Sequence, residues 1–255
     1  MNSGSLFYYF IFSFLLFSAC RPDCETEEAG TLKLNFVFVA NNQIIDNNTF
    51  SFTNAWDMQL TTLKMYFSNI KANNITNNRN EDILDVHLVD FNNISTLSIN
   101  VELESGNYNN FSLGIGLDPQ TNLIDPNTVV SNNPLHIFNG MHWAAWDTYI
   151  FMKLDGKIDT TLSNDFNHPF TYHPGAGELY ELKTFSSDFN IYPNLETEID
   201  IIVNINNIFY PTALNFDSID IISEPSTHTF DGQGNVTQLA ITFFENVTQS
   251  IDISY

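Results

Sequence analysis

Basic residues are scarce in this 255-residue chain: eight Lys and Arg stand against thirty Asp and Glu, a formal charge of −22. A field of that sign repels phosphate backbones and attracts cations, so nucleic-acid binding is excluded as a function class. Cysteine is scarcer still. The only two, Cys20 and Cys24, lie close together near the N-terminus, so the body of the chain has neither a disulfide framework nor thiolate metal ligands. No segment offers a long apolar stripe of helical period. The common catalytic signatures are missing as well: there is no H-E-x-x-H, no G-x-S-x-G and no phosphate-cradling glycine loop. The chain therefore reads as a binding protein and not as an enzyme.

What is present begins with a targeting segment. Residues 6–17 are almost wholly apolar, which suits the core of an export signal and is too short for a spanning helix. Leu16-Phe17-Ser18-Ala19-Cys20 then resembles a bacterial lipobox, in which the cysteine is lipidated and becomes the mature N-terminus. The other reading is an ordinary secretory signal with an incidental Cys20. The lipobox reading predicts a signal peptide over 1–19, an acidic tether over 20–29 behind lipidated Cys20, and one domain over 30–255. The protein is then expected to be exported and held to the bacterial cell envelope by its lipid alone, on the periplasmic face or the cell surface.

From Thr31 the chain alternates: Leu32, Leu34, Phe36 and Phe38 interleave with Thr31, Lys33, Asn35 and Val37, the period of a half-buried strand. Similar runs occur at 63–70, 83–89, 97–103, 110–117, 149–154 and 199–205, and Leu239, Ile241 and Phe243 share one parity. Gly, Pro, Asn and Asp pairs such as Asp155-Gly156 and Asp231-Gly232 punctuate them. Many short strands with such connections predict an all-β fold, an antiparallel β-sandwich with long loops. Two long connections, 118–138 and 156–182, flank the stretch 139–156, and long loops on a rigid sheet are where binding groups sit.

That stretch holds Trp143 and Trp146, two of three tryptophans, next to His142. Six histidines, His87, His136, His142, His168, His173 and His228, supply the only soft nitrogen donors. Imidazole without thiolate, among aromatic and methionine neighbours, makes copper the first metal to consider. Neither alternation nor motif places His136, His168 or His228, which read as loop residues.

Gly140-Met141-His142-Trp143 followed by Tyr149-Ile150-Phe151-Met152-Lys153-Leu154-Asp155-Gly156 resembles a block of the MbnP-like copper-binding domain family, written Gly-Met-x-Trp-x-Trp, then Gly-Tyr and a strand ending Leu-Glu-Gly. Four further segments match in order: Leu63-Lys64-Met65-Tyr66-Phe67-Ser68-Asn69-Ile70; Val86-His87-Leu88-Val89-Asp90; Gly106-Asn107-Tyr108 through Gly114-Ile115-Gly116-Leu117-Asp118 to Asn122; and Phe170-Thr171-Tyr172-His173-Pro174-Gly175. Two positions depart from the pattern. Ala145 stands where the second tryptophan belongs, with Trp146 one residue later, and Thr148 replaces the glycine before the tyrosine. The resemblance implies one copper ion held by histidines, a tryptophan oxidised to kynurenine, and a MauG-like dihaem peroxidase as the partner that oxidises it. Carried over by position, His87 and His173 are the leading ligands and His142 the third. Trp143 is the first choice for the modified residue and Trp146 the second. The expected pocket is walled by Met141, Tyr149 and residues 167–177.

The implied role is copper acquisition, storage or handling. Two other readings fit the same residues. One is a carbohydrate- or peptide-binding adhesion lipoprotein with Trp143, Trp146 and Tyr149 as an aromatic platform. The other is a copper redox enzyme with an open coordination position. Were residues 141–151 one regular strand, His142 would share a face with Trp146 and not with Trp143; a bulge at Ala144-Ala145 would reverse this.

Overall fold

The computed structural model describes residues 28–255, so the expected signal peptide, Cys20, Cys24 and nearly all of the expected tether lie outside the described residues. The chain forms β1 (Ala29–Ala40), β2 (Gln43–Ile44), β3 (Thr49–Ser51), β4 (Asp57–Asn74), β5 (Arg79–Asp90), β6 (Ser98–Glu104) and β7 (Gly106–Ile115). A short ribbon follows, β8 (His142–Trp143) with β9 (Thr148–Tyr149). Next come β10 (Met152–Asp159), β11 (His168–His173), β12 (Glu181–Phe185), β13 (Phe189–Ile191) and β14 (Glu196–Asn204). The chain ends with α1 (Ile205–Phe209), β15 (Ser226–His228), α2 (Gln238–Gln249) and β16 (Ile251–Ser254).

The strands make two facing sheets. The first runs β16-β14-β1-β2 with β6 also on β1; the second runs β12-β7-β4-β10-β11-β15, with β3 and β5 on β4 and β13 on β7. In β1 the alternation is fully realised, because Leu32, Leu34, Phe36 and Phe38 are all buried between the sheets. The fold is the expected all-β sandwich, and most neighbours are antiparallel. Two pairs are parallel, β1 with β14 and β11 with β15.

The middle of β4 departs from alternation for a reason that matters to the site. Met65, Tyr66, Phe67 and Ser68 are all fully buried, so both faces of the second sheet are covered there. The outer cover is the long connection after β7. Tyr66 donates its hydroxyl to the Pro134 carbonyl at 2.8 Å, and Ser68 donates to the Gly116 carbonyl at 2.8 Å. This outer layer carries the β8–β9 ribbon.

Three expectations are corrected. Leu239, Ile241 and Phe243 lie on a helix and not on a strand. The Thr237 side chain caps α2 by accepting from the Ala240 amide, and Ala240, Phe243, Phe244 and Val247 form its buried face at helical spacing. The run 149–154 is broken: Phe151 and Met152 both donate their amides to the Pro174 carbonyl, at 2.8 and 3.3 Å, which separates β9 from β10. The connection 156–182 contains β11, whose Phe170 and Tyr172 are buried. Pro169, an unusual strand residue, obscured that alternation.

Candidate metal centre

The structure does not bring His87, His142 and His173 together. His87 opposes Phe67 on β4, and its ring stacks on Phe36 of the first sheet at 4.9 Å between centroids. Register carries the face across the second sheet. Leu63, of the same parity as Phe67, opposes Leu154 on β10, and Leu154 opposes Tyr172 on β11. His87 and Tyr172 thus share the face turned to the first sheet, while His173 takes the opposite face. Two strands also intervene, roughly 14 Å at the usual strand spacing. His87 is an inter-sheet residue whose Nε2 donates to the Thr96 carbonyl at 2.8 Å.

Burial lowers the His87 imidazole, against the raising effect of the bond to Thr96. Its folded-state value lies below its unfolded value of about 6.5. The stability it contributes is therefore present above that unfolded value and lost as pH falls through the folded one. In His87→Phe, which stacks on Phe36 but does not titrate, the stability difference from the parent should move in the variant's favour between pH 7 and pH 5. Denaturant melts at both pH values check this, and an unchanging difference would remove His87 as a source of acid sensitivity.

His142 is set apart by the ribbon. It opposes Tyr149 and packs edge-on against that ring at 5.0 Å, with Nε2 3.6 Å from Asp147 Oδ1. Trp143, its neighbour on β8, opposes Thr148 and faces the other way. The expected wall of Met141 and Tyr149 is likewise buried, with the Tyr149 hydroxyl 2.9 Å from the Ile124 and Leu135 carbonyls.

What the structure does bring together is Trp143, His173 and His228. The parallel pairing of β11 with β15 sets His173 directly beside His228, with ring centroids 5.8 Å apart. The Trp143 indole lies over both, 4.9 Å from His228 and 6.5 Å from His173. The sequence reads as a loop at His228, because β15 has only three residues and shows no alternation. One signal was available: Ser226-Thr227-His228-Thr229 is β-prone and follows Pro225. Of the other two, His136 caps a 3-10 turn by accepting from the Phe138 amide, and His168 opens β11.

Asp155 completes the surroundings. Its Oδ1 lies 2.7 Å from His173 Nε2 and also accepts the Thr171 hydroxyl. Burial raises the Asp155 carboxyl, but the bonds from His173 and Thr171 outweigh this and hold it below the ordinary carboxylate range. Burial and the neighbouring His173 lower the His228 imidazole, against the opposing pull of Asp155.

The second strand of the ribbon is held by two residues. Asn122 bonds Thr148 through its side chain at 2.9 Å and accepts the Tyr149 amide at 3.0 Å. Gly175, just after His173-Pro174, lets the main chain of 149–151 pass against it: a Cβ there would lie 2.6 Å from Ile150 Cα. Gly175 donates its amide to Thr229 Oγ1 at 2.7 Å, which ties the residue after His228 to the same turn. Asn122 and Gly175, which in the sequence are only positions of a pattern, hold the strand that pairs with Trp143.

Trp143, Trp146 and Tyr149 do not make one platform. Trp146 is 41 % exposed, packs on Phe230 at 5.0 Å, and opens onto a groove of about 570 Å³ lined also by Pro119, Leu123, Asp147 and Glu178. Among the described residues no three His, Cys, Asp or Glu side chains form a ready metal cage.

A comparison with curated proteins gave no match. Among solved structures the chain is similar to MbnP from Methylosinus trichosporium, at 10 % identity and a TM-score of 0.49, over 76 % of this chain and 82 % of that one. The sequence profile of the family described as MbnP matches residues 29–229, well over half of the chain. The chain belongs to the MbnP family.

Proposed function

We propose that this protein binds one copper ion between His173 and His228 beneath Trp143, and serves in copper acquisition, storage or handling and not in turnover. The observation that carries the reading is the side-by-side placement of two imidazoles on β11 and β15 under a single indole. The donor chemistry fits the metal. Two neutral imidazoles with no thiolate suit copper, and a metal–nitrogen bond of about 2.0 Å lets rings at the observed spacing share one ion. Two histidines are a sparse set, and the third side of the centre is occupied by Trp143. Oxidation of that indole to kynurenine by a dihaem peroxidase, which the family resemblance implies, would supply polar donor atoms there. His87 and His142 are not part of the proposed set.

Copper titration against a competing chelator tests this. His173→Ala and His228→Ala should each weaken binding at least about 100-fold, the upper end of the loss expected even from a ligand's supporting partner. His87→Ala and His142→Ala should bind like the parent once shown to be folded. Parent-like affinity in both His173→Ala and His228→Ala would overturn the site. A mass change in the Trp143 peptide from native material would support the oxidised form.

A further inference from the structure

We propose that Asp155 is the positioning residue of this centre: it fixes the tautomer of His173 so that Nδ1, and not Nε2, is the nitrogen presented to a metal. The inference deepens the copper reading and rests on it only for the use to which the freed nitrogen is put. Asp155 and Thr171 oppose each other on β10 and β11, so their side chains share the outer face of the second sheet with His173.

An ionised carboxylate accepts hydrogen bonds and donates none. Its contact with His173 Nε2 at 2.7 Å therefore requires the proton to sit on Nε2. Thr171 Oγ1 lies 3.2 Å from the same nitrogen, but its own proton is committed to Asp155 Oδ1. It can only accept there, so both neighbours of Nε2 favour the same protonation. A neutral imidazole carries one N–H. The lone pair is then left on Nδ1, and a metal ion can be bound only through a lone pair. A carboxylate behind the ring also makes the ligating nitrogen more basic and limits ring rotation.

The test is nitrogen-15 NMR of the histidine rings of the full chain, first metal-free at about pH 8, above the usual imidazole range near 6.5. The parent should show His173 protonated at Nε2, with a slowly exchanging ring N–H that is lost in Asp155→Ala and weakened in Asp155→Asn. Silver(I) is then added as a diamagnetic stand-in for copper(I). The metal-induced shift should fall on Nδ1 of His173 in the parent and spread to Nε2 in Asp155→Ala. Unchanged His87 signals show that the variants are folded, so a general loss of structure cannot mimic the result. A proton on Nδ1 in the metal-free parent, or silver on Nε2 of the parent, overturns the proposal. If silver leaves every ring unshifted while Nε2 holds its proton, the copper reading fails and the Asp155 assignment stands.

Discussion

Gly175→Ala should lower stability by about 3 kcal/mol, the upper end for overpacking in a close-packed interior, and should part Trp143 from the histidine pair. The added methyl would meet the Tyr149 carbonyl and come within 2.6 Å of Ile150 Cα and 2.8 Å of the Phe151 nitrogen. These are main-chain atoms, so no rotamer change relieves the clash. Nor can the passing segment lift freely, because Phe151 donates its amide to the Pro174 carbonyl next door. For a domain of this size the loss corresponds to a fall in melting temperature of roughly 6–12 °C. Gly177→Ala is the control, since a Cβ there meets nothing closer than 3.7 Å. Thermal melts of both variants, with tryptophan fluorescence as the local reporter, check the expectation. Equal melting temperatures would mean that the ribbon does not bear on Gly175.

Phe243→Ala should cost more, about 3–5 kcal/mol, the range for a large aromatic removed from a core. Phe243 is fully buried on α2 and stacks on Tyr172 at 4.6 Å with the planes 8° apart. Phe209 of α1 touches both rings, at 6.0 and 5.3 Å, so three elements would face the same void. Tyr172 immediately precedes His173, and loosening it should disturb the outer face of β11 along with the core. Leu239→Ala, at a half-exposed position of the same helix, should lose much less. Denaturant unfolding of the two variants measures the difference, and a Phe243→Ala loss below about 1 kcal/mol would show that the helix is not anchored through this stack.

The strands were legible wherever one face is wet. In β1 every second residue is buried, and alternation alone located it. Legibility failed where both faces are covered or where the element is short. The centre of β4 has four consecutive buried residues, a consequence of the loop layer that no local pattern announces. The three-residue β15 owes its position to pairing with β11 and not to its own composition. Of the three side chains that the structure brings together, Trp143 and His173 stand in residue patterns of the sequence. His228 stands in none, because a parallel pair is made by distant chain segments. His87 was grouped with them because its sequence context says nothing about which face it takes. That choice is settled across three neighbouring strands, through Phe67, Leu63, Leu154 and Tyr172.

The parallel pairing of β1 with β14 bears on how the chain reaches its folded state. Lys33 and Glu198, joined across that pair, are 165 residues apart, whereas β4, β5 and β7 are consecutive or nearly so. Contacts between distant segments form slowly because the loop must close before anything is gained. The inner β1 strand leaves the ribosome early and its parallel partner late, an interval on the order of ten seconds or more at about 5–20 residues per second. Throughout that time β1 can pair with β2 and β6, but its other edge waits for β14. Until β14 arrives the first sheet is incomplete, and the dense negative charge of the chain discourages association while it waits.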